Sequence, residues 1–160
     1  GEVVVDIDIQ LVGDDPGDAL RDQWENGIEG IWTDGYDIVD GIYTYDIVFN
    51  VDWVASGADH VVTVHDQSGR ANMLNWYTTA ANWGNTYQDE IAAHEFGHMM
   101  GLYDEYTGGA LDPATGLVRI DSIMGDLGAP RVDHYEFILE WLEGETNRDL
   151  SLAFAPFPTY

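Results

Sequence analysis

The chain has 160 residues, the length of one domain, and sets thirty acidic residues against five arginines and no lysine, for a formal charge of −25 and a pI near 4.1. That charge repels nucleic-acid phosphates and anionic membranes, so neither is expected as a partner. Six Trp, nine Tyr and five Phe in a 45% hydrophobic composition argue against disorder, and the lack of cysteine leaves only His, Asp and Glu to hold a metal.

No apolar run approaches the roughly 20 residues of a bilayer span, and the opening GEVVVDIDIQ lacks the basic and apolar regions of a signal peptide; a soluble, processed, monomeric chain spanning one domain, 1–160, is expected. The acidity has three physical explanations: adaptation to high salt, calcium loading outside the cell, or a solvated surface that keeps a secreted enzyme in solution. The missing lysine favours the first.

In chain order, the β-branched and alternating run from Val3 to Val12 predicts a strand ended by Gly13 to Pro16. From Pro16 to Trp32, apolar residues at Ala19, Leu20, Trp24, Ile28 and Ile31 recur at helical steps, with Asp14 or Asp15 placed as a cap. Strand signatures follow over Ile42 to Val54, His60 to His65 and Ala71 to Thr78. Tyr87 to Met100 predicts a second helix with Asp89 and Glu90 in its first turn and Gly101 as its stop. Thr107 to Leu117 reads as a loop, Val132 to Leu142 as a last helix, and the tail Ala155 to Tyr160 as irregular.

The chemistry is concentrated in HEFGHMMGLYDEY, residues 94–106. His94 and His98 stand at i and i+4, so their imidazoles share one helix face, about 5–6 Å apart at Cβ, and both can reach one zinc ion. Glu95, next to the first ligand, can face a metal-activated water without binding the metal, as a general base requires. Gly101 lets the chain leave the helix with positive φ and turn back, bringing Asp104 in as third ligand. At this composition a chance HExxH has odds of roughly 1% over the chain, and the added Gly and Asp positions lower them further. Glu105 is a rival third ligand. His60 and His65, five residues apart on a strand, point to opposite faces and read as structural.

The stretch resembles the long zinc consensus of the metzincin clan, in the variant with Asp as third ligand found in snapalysin-like bacterial peptidases. The resemblance implies an α+β fold with an α/β-like N-terminal part: a twisted, mostly parallel sheet with helices and the zinc helix, then a small C-terminal part with a methionine turn and a final helix. It implies that Met124, in SerIleMetGly, forms the methionine turn, and that Arg131, His134 and Tyr135 fall where a substrate pocket wall would be. The chain departs from many metzincins in having Asp104 rather than His, and AspLeuGly after Met124 where several have Tyr. The implied function is a secreted zinc endopeptidase acting on protein or peptide substrates, with substrate extended along a sheet edge formed by residues 66 to 78.

Two other readings compete. A different zinc peptidase architecture would take its third ligand from Glu136 or Glu140 on the final helix. A non-catalytic extracellular module would use zinc, or calcium (Ca2+) held irregularly near Asp112, Asp121 or Asp126, only to staple the fold; no calcium ligand is assigned.

Overall fold

The computed structural model describes residues 1–33, 35–81 and 85–155. Its centre is a six-stranded sheet in the order β5-β4-β1-β3-β2-β6. The strands are β1 (Glu2–Gly13), β2 (Tyr36–Asp40), β3 (Tyr43–Trp53), β4 (His60–Gly69), β5 (Asn75–Ala80) and β6 (Ser151–Phe154). β1 pairs in parallel with β3 and β4, and β4 in parallel with β5; β2 runs antiparallel to both β3 and β6. The fold is therefore α+β with a mostly parallel mixed sheet.

Period-two alternation decides which face is buried. Ile9 of β1 and Ile47, Phe49 and Val51 of β3 are buried, with Val3, Val5, Ile7 and Leu11 packed against them. The intervening positions carry charge to the other face, where Asp6 lies opposite Asn50 and accepts its Nδ2–H at 3.1 Å. Much of the acidity of β1 and β3 is thus solvated sheet surface.

The helices are α1 (Asp18–Trp32), α2 (Gln88–Met99), the four-residue α3 (Ile123–Asp126) and α4 (Glu136–Thr146). α1 buries Trp24, Ile28 and Trp32, α2 buries Ala92, Ala93 and Phe96, and the Trp32 indole N–H donates to the Ala93 carbonyl at 2.9 Å. The two helices meet closely at Gly27, where a Cβ would fall 2.4 Å from the Asp89 carbonyl oxygen. Only glycine admits that approach, and it fixes α2 against α1. Among the described residues, no helix is long and apolar enough to cross a membrane.

Several expectations need correction. β2 was hidden because YDIVD is short and carries two aspartates, yet Asp37 is buried with only 3% of its surface exposed. β6 is too short to carry a period. β4 continues to Gly69 through polar residues because its backbone is paired with β5, with a register shift between His65 and Ser68. Neither proposed cap reaches α1: Asp15 accepts the Gly17 N–H at 2.9 Å, Asp14 accepts the Asp66 N–H at 2.8 Å, and the helix start has no side-chain cap. The last helix begins at Glu136 after a 3₁₀ turn over Val132–Tyr135. Of the tail expected to be irregular, residues 156–160 lie outside the described residues.

Candidate metal centre

His94 and His98 leave the same face of α2, their ring centroids 4.9 Å apart. The helix then closes with a Schellman turn: the Gly101 N–H donates to the His98 carbonyl and the Leu102 N–H to the Gly97 carbonyl, both at 3.0 Å, with Gly101 at φ +91°. The turn has a chemical consequence, because the Leu102 carbonyl accepts the Nδ1–H of His98 at 2.8 Å. The Ile123 carbonyl, in the turn before Met124, does the same for His94 at 2.8 Å. A carbonyl can only accept, so each ring carries its proton on Nδ1, and in the neutral ring Nε2 is left as a lone pair.

Both lone pairs face Asp104, whose Oδ1 lies 3.2 Å from each Nε2. The three groups are largely buried, and their ligand atoms lie within 4.8 Å of one another. Asp104 is gripped from behind: its N–H donates to the Ala110 carbonyl, its Oδ2 accepts the Ala110 N–H at 2.6 Å, and a Cβ at Gly109 would strike its side chain. Its Oδ1 has no hydrogen-bond donor. Three electron-rich atoms converging in a buried place require a cation, a proton or a metal. Burial alone would raise the Asp104 carboxyl, but hydrogen bonds from the two imidazoles when Nε2 carries a proton, with the Ala110 N–H, outweigh it and hold the carboxyl well below the usual carboxylate range. Burial likewise opposes a charge on His98, yet Asp104 and the Leu102 carbonyl raise it above its ordinary value. The group of His94, His98 and Asp104 can hold a metal ion.

Met124 is fully buried, its sulfur against Gly97 of α2, where a Cβ would meet Sδ at 2.3 Å. Its carbonyl accepts the Glu105 N–H at 2.7 Å, which ties the turn to the residue following Asp104.

Glu95 lies beside the group, 7% exposed, and its Oε2 has no donor. Burial pushes its carboxyl above the ordinary range, against a partial pull from His94, His98 and Arg70. It faces a cleft of about 380 Å³ lined on the sheet side by Gly69, Arg70, Ala71 and Tyr77 and on the α3 side by Ile120, Gly125, Asp126 and Leu127. Leu127 is held in the left-handed region at φ 56°. Gln88, 2% exposed, joins the edge strand to the helices by accepting from the Trp24 indole at 3.0 Å and donating to the Tyr77 carbonyl at 3.1 Å.

Arg70 and Tyr106, which the sequence did not single out, also line the cleft. Tyr106 stands 6.2 Å from the His94 ring, and its hydroxyl accepts an N–H from Arg70, whose guanidinium carbon lies 5.8 Å from the phenol ring centroid. Burial, with Asp104 and Glu95 nearby, raises the phenol above its ordinary value. The available signal was Arg70 itself, a rare cation in an acidic chain.

Other expected residues fall elsewhere. Arg131, His134 and Tyr135 do not line this cleft. Arg131 pairs with Asp121, His134 is 3% exposed against Glu105, and Tyr135 is fully buried with its hydroxyl donating to the Trp32 carbonyl at 2.8 Å. His134 and Tyr135 turn into the core instead of forming a pocket wall. Glu105 turns away from the three ligand groups to Arg119, Ser122 and His134. Glu136 and Glu140 are exposed on α4. Asp112 accepts the Ala114 N–H and the Thr115 hydroxyl, and neither it, Asp121 nor Asp126 belongs to a ligand cluster among the described residues. His60 bonds the Met73 carbonyl at 2.7 Å and His65 the Asn75 side chain at 2.8 Å.

The strut behind the centre predicts acid sensitivity. Burial would raise Glu105, but Arg119, Ser122 and His134 hold it below its ordinary value of 4.5; burial keeps His134 below 6.5. For both groups the unfolded chain binds protons first as pH falls, so their stabilisation is present at neutral pH and lost on acidification, beginning near 6.5 for His134 and near 4.5 for Glu105. Glu105→Gln should cost about 1–3 kcal/mol at pH 7, and the gap to wild type should narrow below pH 4.5. Urea unfolding of both chains in chelator at pH 7, 5.5 and 4 checks this; a gap independent of pH would refute it.

No protein-family model, no curated protein and no solved structure matches the chain.

Proposed function

We propose that the protein is a zinc-dependent endopeptidase of the metzincin type, acting outside the cell on proteins or peptides. The observation that carries this reading is the convergence of two Nε2 lone pairs and an undonated carboxylate oxygen beside a buried, upward-shifted Glu95 in an open cleft. His94 and His98 through Nε2 and Asp104 through Oδ1 would hold the ion. Zinc supplies Lewis acidity when bound, bringing the pKa of a water towards neutrality and polarising the scissile carbonyl.

The chain's own groups do the rest. Glu95 takes the water's proton and returns it to the leaving amine, and its raised affinity for a proton suits that exchange. The two backbone carbonyls keep the rings in the tautomer that points Nε2 at the ion. Tyr106, its oxygen accepting from Arg70 and its hydroxyl close to the Asp104 carboxylate, would present that O–H to a substrate oxygen. β5, at the sheet edge and beside the cleft, offers its backbone to an extended peptide.

The test joins metal content to activity. The purified chain should carry one zinc, cleave casein, lose both to 1,10-phenanthroline and regain both on zinc addition. Bound zinc with no cleavage at low or high salt would leave the metal as a structural staple and defeat the peptidase reading.

A further inference from the structure

Five arginines stand against thirty acidic residues, and four are ion-paired: Arg21 with Asp15, Arg119 with Glu105 and Asp133, Arg131 with Asp121, and Arg148 with Asp40. Among the described residues Arg70 is the exception. It donates to the Tyr106 hydroxyl and lies over that ring, and neither contact neutralises its charge. It is exposed and lines the same cleft as His94 and Glu95. In a chain of charge −25, a guanidinium with no ion-pair partner and only the more distant pull on the Glu95 carboxyl to offset it is the local feature able to attract an anion that the rest of the molecule repels. A guanidinium presents five donors in a planar fork; the phenol occupies one and holds the group in place, leaving donors that match the two oxygens of a carboxylate.

We propose that Arg70 binds a carboxylate of the substrate, so that the cleft selects peptides bearing an acidic side chain or a free C-terminal carboxylate close to the bond that is cut. The inference rests on the peptidase reading above and names its substrate class. Asp126 lines the same cleft and repels carboxylates placed elsewhere along it, so selection falls on one position and not on overall acidity.

The test uses one peptide scaffold with Glu, Gln or Lys at each position flanking the cut bond, with free or amidated C-termini. Cleavage is measured with zinc-loaded wild type, Arg70→Gln and Arg70→Glu, and binding is measured by calorimetry on zinc-loaded Glu95→Gln with and without Arg70→Gln. Wild type should favour one carboxylate-bearing peptide over its neutral counterpart by roughly tenfold in kcat/KM. Arg70→Gln should erase that ratio and Arg70→Glu should turn it towards Lys. A preference that survives amidation assigns the carboxylate to a side chain, and one that vanishes assigns it to the C-terminus. An unchanged ratio in Arg70→Gln, including a uniform fall for every peptide, would overturn the proposal and make Arg70 a positioning residue for Tyr106. If nothing is cut but binding keeps an Arg70-dependent preference, the peptidase reading fails and the carboxylate site stands; if binding shows none, the carboxylate site fails.

Discussion

Glu95→Gln is expected to keep its zinc and to lose about 10²–10⁴-fold in kcat. The substitution keeps the side chain's shape in a position only 7% exposed, so the fold has no reason to change. Glu95 is not one of the three converging ligand groups, so metal content has no reason to change either. What is lost is the ability to accept a proton, which burial has strengthened in the native carboxyl. Metal analysis of the purified variant beside kcat and KM on one peptide separates the two effects. Loss of zinc together with activity would make Glu95 part of the metal's support; retained activity would remove it as the base.

Asp104→Ala should act one step earlier, weakening zinc binding by more than about 100-fold, beyond the loss typical of removing an outer partner of a ligand. Asp104 supplies the one anionic oxygen of the group and faces both Nε2 atoms at 3.2 Å. It also anchors Ala110, so Asp104→Asn, which keeps an oxygen for that N–H, serves as the control that separates charge from loop anchoring. Competition with a chromophoric chelator gives the affinities. Thermal unfolding gives a second readout: zinc at about 100 times its Kd should stabilise wild type by about 2.7 kcal/mol and Asp104→Ala by much less. Equal zinc affinity in wild type and Asp104→Ala would exclude Asp104 as a ligand.

The candidate centre was legible because its parts are close in sequence. His94 and His98 are set on one face by helical geometry alone, and Gly101 is the residue a Schellman turn needs. Asp104 follows within a few residues of that turn. Met124 lies further on, and its packing against Gly97 was not legible in the sequence, because no local pattern links the two positions. The long core strands were legible through alternation, whereas β2 was masked by Asp37 and Asp40 and β6 by its shortness.

By itself, the sequence determined the period-two and period-3.6 elements, the two imidazoles on one helix face with a glutamate beside them, and the strong acidity of the chain, because each depends on residues that are neighbours along the chain or on composition. Tertiary structure alone decided the rest. Tyr106 meets Arg70 across 36 positions of sequence, His134 is drawn inward to Glu105 across 29, and the Ile123 carbonyl reaches His94 across 29. Such contacts depend on how α2, α3 and the edge of the sheet come together, and no local periodicity encodes that packing.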